Sequence, residues 1–162
     1  MVECQTLAAM IARLRTYPPA ERVSQTIAPQ AAKPLVLIID PDPEASAILA
    51  TWLEHAGIST VSITDGDAGL VHALDTTPRA VVCELYVPCR GETCLTGVVK
   101  REPRLAGVPV IAYSAWALEK DVDWAKSQGV DEFFSKPSRL ADVAAAIQRL
   151  VANNESRAEQ SG

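Results

Sequence analysis

Residues 80–91 read A-V-V-C-E-L-Y-V-P-C-R-G. The apolar run from Ala80 to Cys83 predicts a strand buried on both faces, the kind that belongs to parallel sheets. Glu84 follows at the carboxyl end of that strand, and Pro88 comes four residues later. In an open parallel sheet this is the edge where the connecting loops separate and where ligands collect. Fold and site both turn on what surrounds that glutamate.

On either side of this stretch, from Leu35 onward, short apolar runs alternate with helical patterns, the signature of repeated βαβ units. Leu35 to Ile39, Ile58 to Ile63, Val108 to Tyr113 and Asp131 to Ser135 supply four more strands, and the serines and threonine of the second suggest a sheet edge. Asp42 reads as the cap of a helix with Pro43 in its first turn, a buried stripe of Ile48, Leu49, Trp52, Leu53 and Ala56, and Gly57 as its stop. Leu70, Val71 and Leu74 give the next helix its apolar side. A helix from Glu92 to about Arg101 follows the central strand. The helix from about Leu118 to Ser127 is polar apart from Leu118, Val122 and Ala125, so it is expected to lie loosely on the sheet. The last helix, capped by Ser138, keeps Leu140, Val143, Ala144, Ile147, Leu150 and Val151 on one face and is expected to give way to a frayed polar tail over 153–162.

Every crossover exceeds the dozen or so residues that parallel neighbours need. The expected fold is therefore α/β, a doubly wound five-stranded parallel sheet over 34–152. Its strand ends bring Asp40, Glu84, Ser114 and Lys136 to one edge. Ahead of it, residues 1–33 read as a helical extension and linker: Leu7, Met10, Ile11 and Leu14 form an apolar stripe that suits docking on its own domain or on a second copy, so a homodimer through this helix is one expectation.

The 162 residues include 15 basic and 20 acidic side chains, a net charge of -5, which argues against a nucleic-acid surface. No apolar run approaches a membrane span and no basic leader precedes the first apolar stretch, so neither a membrane nor secretion is expected, and the chain reads as cytoplasmic. Cys4, Cys83, Cys89 and Cys94 lack paired zinc-site spacing. Cys89 and Cys94 flank the loop after Glu84, which leaves a thiol-sensing loop as one alternative.

Four motifs in order, I-I-D-P-D-P (38–43), V-V-C-E-L-Y-V-P (81–88), V-I-A-Y-S-A (110–115) and G-V-D-E-F-F-S-K-P (129–137), make the chain resemble the receiver domain of bacterial two-component response regulators. The resemblance implies strand order 2-1-3-4-5 and a phosphorelay role in which an aspartate accepts a phosphoryl group and a partner surface reads the change. By that resemblance Ser114 is the hydroxyl that bonds the phosphate, Lys136 the lysine that pairs with its oxygens, and Phe133 the aromatic whose rotation reports activation. Asp40 matches the first acid of the acidic pair. Two positions depart: Glu84 stands at the phosphoacceptor, and Pro41 stands where the second acid, a direct magnesium ligand, belongs.

Phosphoryl transfer depends on in-line positioning and metal neutralisation. The additional methylene of Glu84 moves the carboxylate by roughly 1 Å, a shift that costs about a hundredfold in rate when geometry is the source of catalysis. Magnesium is expected to bind weakly if at all, with Asp40 a weak ligand. Glu84 is expected to reach Lys136, either imitating part of the phosphorylated state or neutralising the lysine in an inactive pocket. The expectation is a stand-alone, atypical receiver with no catalytic residue, acting through a kinase or effector partner. The alternative of a phosphoaccepting receiver needs Asp42 as a replacement ligand, although Asp42 already has a use as a cap. Trp116 is assigned either to the switch loop or to the partner surface.

Overall fold

The structure, a computed structural model, describes residues 35–160. The helices and linker expected before Leu35, and the dimer contact assigned to them, lie outside the described residues. The chain divides at Ala32 and Lys33, and the second unit runs β1 (Leu35–Ile39), α1 (Pro43–His55), β2 (Ser59–Ile63), α2 (Gly66–Thr76), β3 (Ala80–Cys83), α3 (Leu95–Arg101), β4 (Val110–Ser114), α4 (Glu119–Ser127), β5 (Glu132–Ser135) and α5 (Leu140–Gln160). The strands form one sheet in the order β2-β1-β3-β4-β5, parallel throughout. The expected doubly wound architecture is present, with β2 on an edge.

Alternation along the strands builds two cores. Leu37, Ile39, Val81 and Cys83 pack with Leu70, Ala73, Leu95 and Val99 of α2 and α3. Val36, Ile38, Val82 and Ile111 turn the other way, onto Leu49 and Leu53 of α1 and Val143 and Ile147 of α5. Successive strand residues point to opposite faces, so β1 and β3 are covered on both sides. Full burial of a leucine or isoleucine contributes about 1.5–3 kcal/mol. Gly66, the first residue of α2, packs directly against the loop after β3: a Cβ there would lie 2.1 Å from the Pro88 carbonyl oxygen. Gly57, at positive φ, ends α1 as expected, and Gly129, also at positive φ, follows the end of α4.

Several expectations are corrected. Ile48 and Trp52 are not in the buried stripe but about half exposed, Ala56 at the end of the helix is exposed as well, and so is Val71. The buried face of α1 is Ser46, Leu49 and Leu53; Ile48 and Trp52 each stand about 100° round the helix from it. Leu118 is exposed as well, and α4 is held by Asp121 and Ala125, the two residues that it buries. The helix expected from Glu92 starts at Leu95, because Glu92 instead exchanges backbone hydrogen bonds with Cys89 at 3.0 and 2.9 Å. β4 begins at Val110, two residues late, since Pro109 has no N–H to give. The last helix does not fray after Ala152 but continues to Gln160, with Glu155 3.7 Å from Arg79 at the start of β3 and the Ser156 hydroxyl on the Ala152 carbonyl.

Candidate functional site

Register brings the strand ends together. Ile39 pairs with Cys83, Cys83 with Ala112, and Ser114 with Ser135, so Asp40, Glu84, Ser114 and Lys136 emerge side by side. Backbone bonds fix their exits: Glu84 N–H donates to the Ile39 carbonyl at 3.0 Å and Lys136 N–H to the Ser114 carbonyl at 2.7 Å. The four residues that the sequence places at this edge meet in one cluster.

Its centre is the Glu84 carboxylate. Oε1 accepts from the Ser114 hydroxyl and from Leu85 N–H at 2.8 Å. Oε2 accepts from Ala115 N–H at 3.2 Å and from Lys136 Nζ at 3.1 Å. Lys136 also donates to Asp40 Oδ2 at 2.5 Å, while Asp40 Oδ1 accepts from Asp42 N–H at 2.9 Å. One ammonium thus bridges two carboxylates, and each of the four carboxylate oxygens already has a donor. Ser114 is fully buried and Asp40 nearly so, which strengthens these charge-assisted bonds and makes the loss of any partner costly. Burial works against the charged form of Lys136, but the hydrogen bonds to Asp40 and Glu84, and their charges, outweigh it and raise its pKa. The ammonium also stands 5.2 Å from the centre of the Tyr113 ring.

Asp42 is not brought into this cluster by its side chain. Its carboxylate caps α1, accepting from Glu44 N–H at 2.9 Å and Ala45 N–H at 3.2 Å, and only its backbone N–H touches Asp40. Pro41, beside it, has no carboxylate. Among the described residues no group of three or more His, Cys, Asp or Glu side chains is arranged to hold a metal ion, and none of the described helices is long and apolar enough to cross a membrane. Cys83, Cys89 and Cys94 are all buried free thiols. Burial, first of all, pushes Cys83 and Cys89 up to about 12; the neighbouring Asp67 adds to this at Cys89, while the Thr96 hydroxyl opposes it at Cys83. Such shifts lower the share of thiolate, the form that reacts with oxidants.

Beyond the cluster the structure adds two residues that the sequence reading passed over, Tyr86 and Asp121. The Tyr86 hydroxyl donates to Asp121 Oδ1 at 2.8 Å, and Asp121 Oδ2 accepts from Leu118 N–H at 3.1 Å at the start of α4. Trp116 N–H donates to the Ser114 hydroxyl oxygen at 3.0 Å, and its exposed ring meets Tyr86 edge-on at 5.9 Å. Phe133 is half-buried against Leu85, Ala112, Ala125 and Val130, and Phe134 packs on the opposite core. With leucine and not Ser, Thr, Asp or Asn at the N-cap, the sequence carries no capping signature for Asp121, and nothing in it marks the link to Tyr86.

The model of the response regulator receiver domain family matches residues 36–148. Among curated proteins, the chain is 27% identical over 118 residues to the DNA-binding dual master transcriptional regulator RpaA of Synechocystis sp., covering 73% of this chain and 49% of that protein. It is 25% identical over 120 residues to the DNA-binding response regulator MtrA of Mycolicibacterium smegmatis, covering 74% and 51%. The chain therefore spans about half the length of these relatives. Among solved structures, a CheY-like receiver domain protein from Methanospirillum hungatei superposes with a TM-score of 0.68 at 17% identity, over 78% of this chain and 99% of that one. The receiver domain of the sensor histidine kinase PA1611 from Pseudomonas aeruginosa, solved with magnesium in its active-site cleft, gives 0.67 at 21% identity over 75% and 99%.

Proposed function

This chain belongs to the response regulator receiver domain family, and we propose that it is a receiver of two-component signalling locked without phosphate, which acts by binding another protein and catalyses no reaction. One observation carries the reading. The hydroxyl of Ser114, the N–H of Ala115 and the ammonium of Lys136 all converge on the Glu84 carboxylate. In the sequence motif, the side chains of Ser114 and Lys136 are the ones expected to hold a phosphoryl group, and here an internal carboxylate takes them instead.

The same convergence works against magnesium. The ion needs near-ideal octahedral oxygen geometry and several coordinating oxygens, whereas the oxygens of Asp40 and Glu84 are committed to N–H, O–H and ammonium donors and Pro41 supplies none. These residues do not fit the metal: binding it would first require displacing Lys136 from Asp40. With hydroxyl, amide and lysine already drawn in, the loop from Ser114 to Trp116 is held in one position, and a kinase or an effector would meet a fixed surface.

Magnesium chloride titrated into the full chain and followed by tryptophan fluorescence tests this. The reading expects no saturating response through the millimolar range. A saturable change at micromolar concentration would replace it with that of a phosphoaccepting receiver whose metal site is rebuilt.

A further inference from the structure

One edge of the sheet is left open. β2 is the outermost strand beside β1, and Asp40 N–H donates to the Ile63 carbonyl at 3.1 Å. Ile63 therefore turns its peptide groups toward β1, as Val61 and Ser59 do by alternation, so those of Thr60 and Ser62 point out of the sheet. Neither has an outward backbone partner among the described residues. Sheet edges are normally guarded by charge, proline, a bulge or a covering element. β5, at the other edge, has such guards: Asp131 is paired with Lys100 at 2.6 Å, Glu132 with Arg149, and Lys136 and Pro137 follow the strand. β2 reads S-T-V-S-I over Ser59–Ile63, with no charge, proline or glycine; Ser62 is exposed and the other four are partly buried.

An open edge takes a strand, and the residues of β2 select their own copy. Set antiparallel against itself about a two-fold axis at Val61, β2 brings Thr60 opposite Ser62 with the outward peptide groups of both facing each other, so each such pair exchanges two hydrogen bonds. Val61 meets Val61 and Ser59 meets Ile63, with no like charges opposed. This is the register in which all five residues are paired, and the same patch serves both subunits. Beside the edge, Ala47, Ala50 and Glu54 lie along one side of α1 at i, i+3 and i+7, and the Glu54 carboxylate accepts from the Thr60 hydroxyl at 3.4 Å. The two small alanines leave room for a second α1 at a helix spacing of about 8–10 Å. A foreign strand is recognised through pockets for its alternate side chains, whereas the cavities beside Tyr86, Trp124 and Trp52 take no lining residue from β2.

We infer that β2 is the contact of a two-fold dimer of this chain, in which two sheets join antiparallel into one through Thr60, Val61 and Ser62. The contact uses none of Asp40, Glu84, Ser114 or Lys136, so it holds whether or not the pocket takes phosphate.

Sedimentation velocity of the full chain from about 1 μM to about 1 mM tests this. A reversible shift from monomer to dimer is expected. Ser62→Glu should move it to about tenfold higher concentration, because it sets an acid opposite Thr60 and beside Glu54 of the second copy; Ser62→Pro, which removes an outward N–H, should act likewise. Circular dichroism and the denaturation midpoint check that both variants stay folded. In a Cys4→Ser background, Val61→Cys is expected to give a disulfide-linked dimer under mild oxidation, because paired residues at the axis stand about 4.5 Å apart at Cα; Ser59→Cys, which faces Ile63, is not. A monomer at every concentration overturns the proposal. So does a dimer that Ser62→Glu leaves intact, which puts the contact elsewhere, and so does a Val61→Cys variant that cross-links no better than Ser59→Cys.

Discussion

The Ser114 hydroxyl donates to the Glu84 carboxylate across the gap between the ends of β4 and β3. Neither residue is unusual alone: a hydroxyl at a strand end and an acid at a strand end are both common. Their contact matters because Ser114 is fully buried and its oxygen in turn accepts from Trp116 N–H at 3.0 Å. A chain of bonds therefore runs from the pocket to an exposed aromatic. Ser114→Ala removes the middle of that chain and leaves Glu84 and the Trp116 amide each short of a partner. The expected cost is about 2 kcal/mol, read as a lower denaturation midpoint with an unchanged m-value, together with a changed Trp116 emission.

Restoring the chemistry should take two changes. Glu84→Asp shortens the acid so that it no longer reaches the Ser114 and Ala115 donors, and Pro41→Asp supplies a second carboxylate beside Asp40. The double variant is expected to take up phosphate from a small phosphodonor in the presence of magnesium, with either single variant slower by about a hundredfold. Intact mass spectrometry over a time course checks this, and equal labelling of all three variants would contradict it.

Lys136 gives a pH signature. Its folded-state pKa is raised, so its contribution to stability is complete below the unfolded value of about 10.4 and is lost only as pH rises through the folded value. Lys136→Met leaves Asp40 and Glu84 facing each other without a cation and should cost about 3 kcal/mol at neutral pH. The gap between wild type and variant in urea melts should stay constant from pH 7 to about pH 10 and close above that. A gap that closes already between about pH 7 and pH 9 would mean a lysine with a lowered pKa.

Two neighbouring residues of α1 should behave oppositely. Leu49 is 1% exposed and Ile48 57%, so Leu49→Ala should cost about 2–5 kcal/mol and Ile48→Ala less than about 0.5 kcal/mol. Chemical denaturation of the pair checks which face of the helix is turned inward.

That pair also marks the limit of the sequence. The sheet was legible because the runs at Leu35–Ile39 and Ala80–Cys83 are apolar throughout, and a two-sided burial leaves no choice of face. The cluster was legible because Asp40, Glu84, Ser114 and Lys136 each follow such a run. On α1, by contrast, Ile48, Leu49, Trp52, Leu53 and Ala56 span a wider arc than one sheet can cover, so the pattern named five candidates and the fold buried two. Beyond Ala152, Glu155 of α5 comes within 3.7 Å of Arg79, a contact between residues 76 positions apart, and the Tyr86–Asp121 bond spans 35 positions. Local periodicity carries no information about either.

The thiols are expected to be silent. With Cys83 and Cys89 at about 12, roughly one part in ten thousand is thiolate at pH 8. In a Cys4→Ser background, a disulfide reagent should therefore modify the native protein only on the timescale of unfolding. Rapid labelling of Cys89 or Cys94 would reopen a redox role.

The most direct measurement is the intact mass of the wild-type chain after incubation with magnesium and a small phosphodonor, with a receiver that carries the usual aspartate as the positive control. A locked Glu84 predicts an unchanged mass while the control gains one phosphoryl group. A stoichiometric, base-labile phosphoryl adduct mapped to Glu84 would contradict it.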